Sequence, residues 1–254
     1  MRKTLAIAAN TFREAIRDRI LYLLLAFAIL MMGASRILSL LTVGAEEKIV
    51  KDIGLASLSL FGVATAIFVG VGLVFKEIER RTVYTLVSKP ISRSQFILGK
   101  YVGLVMVLAV NLSIMTGVFY ALLLWKGWMD AGITRAVVLI FVELLLVTAI
   151  AIFFSSFSTP ILSSLFTVTV YVIGHLSWGL LLLGDRIQGA AGKALCRVLY
   201  HVLPNLDALN VKGLVVHGDP VPAARMLHAS LYGVSYTVVV LGLAVLVFRK
   251  RDFL

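Results

Sequence analysis

The sequence predicts an all-α integral membrane protein with six transmembrane helices, and three observations carry that prediction. Six apolar runs recur along the 254 residues, each close to the roughly 20 residues that a helix needs to cross a hydrocarbon core of about 30 Å. Only 15% of the residues are charged against 60% hydrophobic, with a mean hydropathy of +1.00, whereas ordinary soluble domains carry roughly 25% charge. The 24 Lys and Arg lie in short clusters between the runs. That clustering argues against nucleic acid as a partner in spite of a formal net charge of +11, because nucleic-acid binders gather their charge on one face or stripe. A single cysteine, Cys196, leaves no intrachain disulfide framework, so helix packing must hold the fold.

Residues 1–19 come before any span. Leu5, Ala8, Phe12, Ile16 and Ile20 recur at helical spacing while Arg13, Glu14, Arg17 and Asp18 take the other side, which predicts an amphipathic helix lying in the membrane interface. The length and patterning of this segment argue against a signal peptide cleaved at the small residues 33–35. The first span reads as Ile20 to Val43 and the second as Ile53 to Phe75. Within the second, Gly62, Ala66 and Gly70 at four-residue spacing predict close packing against another helix, with a seam between two copies of the chain as one place for it.

The remaining spans read as Tyr101 to Trp125, Ala136 to Phe157, Ile161 to Leu183 and Ser230 to Phe248. Helices are required because a segment isolated in lipid satisfies its backbone groups only within itself, and the alternation of a barrel strand is missing. Five Lys and Arg precede the first span (Arg2, Lys3, Arg13, Arg17, Arg19), six lie in residues 76–100, and Arg249, Lys250 and Arg251 follow the last span. The first connection offers only Lys48 and Lys51 against three acids and the third only Lys126 and Arg135, so both termini and the 76–100 insert are expected on the cytoplasmic side.

That insert contains a short amphipathic stretch with Ile78, Val83, Leu86 and Val87 as its apolar positions. Pro90 ends it, since proline lacks an amide donor and pushes the preceding residue out of helical geometry. Ser92 and Gln95 then stand in the spacing of a capping box at the head of the next helix. A rigid, apolar-faced helix held at the membrane surface exceeds what anchoring a loop requires.

The stretch "EIERRTVYTLVSKPISRSQFILGK", Glu77 to Lys100, resembles the signature of exporter-type permeases of the ABC-2 superfamily. The resemblance rests on Glu79, Thr82, Leu86, Ser88, Pro90, Ser92, Arg93, Gly99 and Lys100, and departs from the pattern at Arg81, where many members have Gly. The basic "FRKRDF" ending and the "VLPNLDALN" string agree with it, and the nearest subgroup is the permeases of multicopper-enzyme and nitrous-oxide-reductase maturation. The resemblance implies a multi-pass protein of a bacterial or archaeal cytoplasmic (inner) membrane, working as a homodimer in the lipid bilayer. It implies a coupling helix that docks on a separate cytoplasmic ABC ATPase subunit, which binds the ATP and Mg. Glu77, Glu79, Arg80, Arg81 and Arg93 would be its polar contacts, Val83, Leu86 and Val87 its apolar anchor, with Thr82, Ser88 and Pro90 shaping it. No cofactor, metal or catalytic residue is expected on this chain. "GLLLLGDR" at 179–186 and "GAAGKA" at 189–194 are its nearest strings to a phosphate-binding loop, and both lack the required Lys followed by Ser or Thr.

Arg36, Glu143 and His175 are the ionisable residues inside the spans, at similar heights along their helices. Such residues are functional candidates because burying charge in a membrane is costly; an Arg36–Glu143 ion pair that orients two helices is the plainer reading. The long connection 184–229 is expected to hold structure of its own. In it Leu195, Val198, Leu199 and Val202 share one helical face and Lys193, Arg197 and His201 the other, with Pro204 as terminator. An extracytoplasmic partner is a further expectation. Cys196, His201, His217, Asp219 and His228 lack the compact spacing of a metal site. Two functions therefore compete: the permease of an ATP-driven exporter working by alternating access, and a non-transporting scaffold or assembly factor for an extracytoplasmic enzyme.

Overall fold

The computed structural model describes residues 2–39, 44–79, 92–187 and 189–250. Within them the chain forms α1 (Arg2–Ile16), α2 (Arg19–Ser39), α3 (Glu46–Glu79), α4 (Arg93–Lys126), α5 (Ala131–Ser155), α6 (Pro160–His175), α7 (Ser177–Arg186) and α8 (Ala190–Val202). A 3-10 turn at Asp207–Leu209, a short α9 (Lys212–His217) and a long α10 (Ala223–Lys250) complete it. Among the described residues α2 to α5 and α10 are long and apolar enough to cross a membrane, and α6 is a shorter apolar helix. The protein is thus an all-α, multi-pass membrane protein.

The helix ends follow local chemistry. Ser92 Oγ accepts from the Gln95 amide and Gln95 Oε1 from the Ser92 amide, both at 3.3 Å, so the expected capping box opens α4. At its other end Gly127 takes φ +70°, where a side chain would be strained, and returns its amide to the carbonyls of Leu123 and Leu124. Asp130 Oδ1 accepts from the Gly132 amide at 3.2 Å and starts α5. Pro160 fills the first turn of α6, where an amide has no helical partner to lose.

The apolar residues of α5 cover every side of it, which is the pattern of a helix buried all round. Leu139, Leu144, Leu146, Val147, Ala149, Ala151 and Ile152 have no exposed surface, and α3, α4, α6, α9 and α10 pack around the helix. The outer helices turn apolar residues outward, as Leu30, Ile37, Leu165 and Val238 show at more than half exposed. In a bilayer that surface meets lipid, which solvates it without cost.

Three expectations change. The span drawn from Ile161 to Leu183 is two helices, broken at Leu176 (φ −100°, ψ 20°). The cause is a distant contact: the Gly174 carbonyl accepts from the Leu206 amide at 3.0 Å, and a Cβ at Gly174 would fall 2.7 Å from the Pro204 carbonyl. The small-residue face of α3 does pack closely, but inside one chain: a Cβ at Gly62 would stand 2.8 Å from Leu144, and Gly70 faces Leu104 and Ala151. It is therefore no seam between copies. In α1 Ala8, Thr11 and Ala15 are buried and Phe12 packs partly buried against the core, while Leu5 is 62% exposed; the expected face holds at Ala8 and Phe12, gains Thr11 and Ala15, and leaves Leu5 outward.

Gly62→Leu must displace Leu144, which a Cβ alone would approach to 2.8 Å, and overpacking of this kind costs about 1–3 kcal/mol. Its melting temperature in detergent is expected to fall below wild type, whereas Gly242→Leu, with no atom within 4 Å of the added Cβ, leaves it unchanged.

Candidate functional site

Two places gather the residues singled out by the sequence. The first is the root of the insert. Glu77 and Glu79 lie in the last turns of α3, with side chains outside the described ones. Arg80, Arg81, Thr82, Val83, Leu86, Val87, Ser88 and Pro90 lie outside the described residues. Arg93 opens α4, and its guanidinium donates to the Phe248 carbonyl at 3.1 Å and the Arg249 carbonyl at 2.8 Å. A cation at these carbonyls suits the negative end of the helix dipole. Phe96, one turn on, stacks on Phe248 at 5.6 Å between ring centroids. The start of α4 is thereby fastened to the end of α10.

The same stretch of α4 receives α1. A Cβ at Gly99 would stand 2.8 Å from Ile7, and one at Gly103 would stand 2.6 Å from Thr11 and 2.7 Å from the Ala8 carbonyl. Two glycines four residues apart let the α1 backbone lie directly on α4, and Lys100 between them is fully buried. The chain leaving the insert thus enters a junction of α1, α4 and α10, closed by glycine contact, a ring stack and an arginine cap. Nothing in the local pattern announces the Phe96–Phe248 or Arg93–α10 contacts, because each joins residues about 150 positions apart.

The second place is inside the bundle. Glu143, on the central α5, is 1% exposed, and its Oε1 lies 3.4 Å from His175 Nε2 at the end of α6. The hydroxyls of Tyr171 and Ser59 adjoin the carboxylate, and Lys212 acts on it through space. His175 Nδ1 faces the Tyr171 carbonyl at 3.3 Å, and the two rings lie 4.6 Å apart. Among the described side chains the neighbour of Glu143 within ion-pair distance is His175; Arg36 lies on α2, and the expected Arg36–Glu143 pair falls outside the described side chains. Equal height along the helices groups Glu143 with His175, and the Tyr171–His175 spacing of four residues is the available sign that both face one way.

In the 184–229 connection α8 ends at Val202 with Pro204 just beyond, as the sequence indicates. Asn205 ties it down: its Oδ1 accepts from Ser177 Oγ at 3.0 Å and from the Ala208 amide at 3.2 Å, and its own amide donates to the Tyr232 hydroxyl at 2.8 Å. His201 and His217 each bond a carbonyl of their own helix.

A bundle of long apolar helices, with α1 locked against the start of α4, is that of a multi-pass membrane protein. The profile of the ABC-2 family transporter proteins matches residues 5–253, nearly the whole chain, and the protein belongs to that family. It is accordingly the permease component of an ABC transporter, a membrane transport component and not itself the ATPase. Members of this family work with a cytoplasmic ABC ATPase. No curated protein matches the sequence.

Gly103→Leu should prise α1 from α4, read as faster proteolysis of the amino-terminal segment in detergent. Gly117→Leu, on the same helix but with no atom within 4 Å of the new Cβ, should leave that rate as in wild type.

Proposed function

We propose that this chain is the membrane half of an exporter of the copper-enzyme maturation subgroup. A separate ATPase drives it through the 76–100 insert, and it works as a homodimer with both termini on the cytoplasmic side. The observation that carries this reading is the fastened root of the insert. A lever is useful only if its base is rigid, and the base here is the α1–α4–α10 junction, with Arg93 capping α10 and α1 seated on Gly99 and Gly103. ATP binding would close the ATPase pair, and the insert would pass that motion to the junction as a rigid-body shift between two packed states. Val83, Leu86 and Val87 would seat in the ATPase groove, with Glu77, Glu79, Arg80 and Arg81 around them and Thr82, Ser88 and Pro90 setting the shape. Arg93 moves from contact residue to positioning residue, since its guanidinium holds α10. Substrate would leave through the bundle as the two states alternate, and ATP with Mg would stay on the partner chain.

The test is affinity purification in mild detergent of wild type beside a double variant, Leu86→Asp with Arg81→Glu, followed by identification of bound chains. Wild type should bring down an ABC ATPase. The variant should lose about thirtyfold in retention, the size of one hot-spot residue of about 2 kcal/mol. If wild type brings down an extracytoplasmic enzyme and no ATPase, the scaffold function replaces this one.

A further inference from the structure

We infer that Glu143 and His175 together form a proton-binding site in the interior of the bundle, one proton being shared between Glu143 Oε1 and His175 Nε2. The argument is one of hydrogen-bond inventory. His175 Nδ1 faces the Tyr171 carbonyl oxygen at 3.3 Å, and a carbonyl only accepts, so Nδ1 carries a hydrogen. A neutral imidazole protonated at Nδ1 has a bare, accepting Nε2. That nitrogen faces Glu143 Oε1 at 3.4 Å, and an ionised carboxylate also only accepts. Both atoms are shut off from solvent with no other hydrogen-bond partner. Two acceptors in that position repel unless a proton lies between them.

The proton can sit on either side, as carboxylic acid donating to imidazole or as imidazolium donating to carboxylate. In both cases the pair holds the same number of protons and is neutral as a unit. Neutrality suits a residue that is 1% exposed, since an unpaired buried charge costs several kcal/mol. Around the pair stand the Ser59 hydroxyl from α3, the Tyr171 hydroxyl from α6 and the Lys212 charge from α9; among the described residues α4 and α10 bring no charged group to it. No third His, Cys, Asp or Glu completes a metal set there among the described residues, which leaves the proton as the occupant that fits.

The site has a mechanical position. His175 ends α6 next to Gly174, whose carbonyl takes the Leu206 amide. The shared proton therefore bolts the break between α6 and α7, with the Pro204–Leu206 turn lodged in it, to the central helix. Removing the proton leaves a net negative charge between two facing acceptors and slackens that bolt.

The test uses the full chain in detergent with ¹⁵N-labelled histidine; of its four histidines, His175 is the signal lost in His175→Gln. Near neutral pH that signal should show a protonated Nδ1 and an Nε2 that bears or receives a proton; a bare Nε2 with no proton shared to it would contradict the inference. A neutral ring with a bare Nδ1 and a protonated Nε2 would overturn the inference, because such a ring donates to Glu143 without the extra proton.

Discussion

The structure depends on how closely its helices approach. Between apolar helices in lipid there is no hydrophobic drive to associate, so contact must come from fit. At the tightest crossings a glycine admits a neighbour that no side chain would: Phe119 against Gly54, Leu144 against Gly62, Thr11 against Gly103 and Val142 against Gly233. The central α5 is the common party to much of this packing, and its apolar residues on all sides are the sequence-level cause. Each seam fixes one helix against another.

Into that bundle the chain sets two polar devices with different jobs. At the insert's root, polar groups work where a helix ends, and Arg93 on the α10 carbonyls answers orphan acceptors that would otherwise seek water. In the interior, Glu143 and His175 sit where an unpaired charge is dear, and their pairing joins α5 to α6 at the place where α6 breaks. The break is held by the 184–229 connection through Asn205 and Leu206. A path of direct contacts thus runs from the Pro204–Leu206 turn to the core helix, while the insert's root is fastened to the end of α10. Alternating access in the proposed exporter would require these two ends to change together, and rigid helices are what can link them.

Much of the architecture is legible in the amino-acid sequence. Long apolar runs announce helices because lipid leaves the backbone no other choice, and α4 opens at the capping box that Ser92 and Gln95 spell. What the sequence does not supply is rotation and distance. The run from Ile161 to Leu183 looks continuous because the residues that break it, Pro204 to Leu206, lie some thirty positions further on. Gly62, Ala66 and Gly70 declare a packing face but not the identity of the partner, which for Gly62 is α5 of the same chain. In α1, hydrophobicity favours Leu5, and steric fit leaves it outward while Ala8, Thr11 and Ala15 are buried beside Phe12. Height along a helix groups Glu143 with His175, and only the azimuth of each helix makes them partners.

The central claim is that α1 and the start of α4 move as one body under the ATPase. It is tested most directly by joining them covalently: Cys196 is replaced by Ser, Ile7 and Gly99 become Cys, and ATP turnover is measured in the complex with its ATPase before and after oxidation. The two Cβ positions are already in contact, so a disulfide, with its usual Cβ separation of about 3.8 Å, needs only a small adjustment. Turnover unchanged by the crosslink and by its reduction is the predicted result. Turnover that stops on oxidation and returns on reduction would show that α1 slides over α4 during the cycle, and the rigid-root account would be wrong.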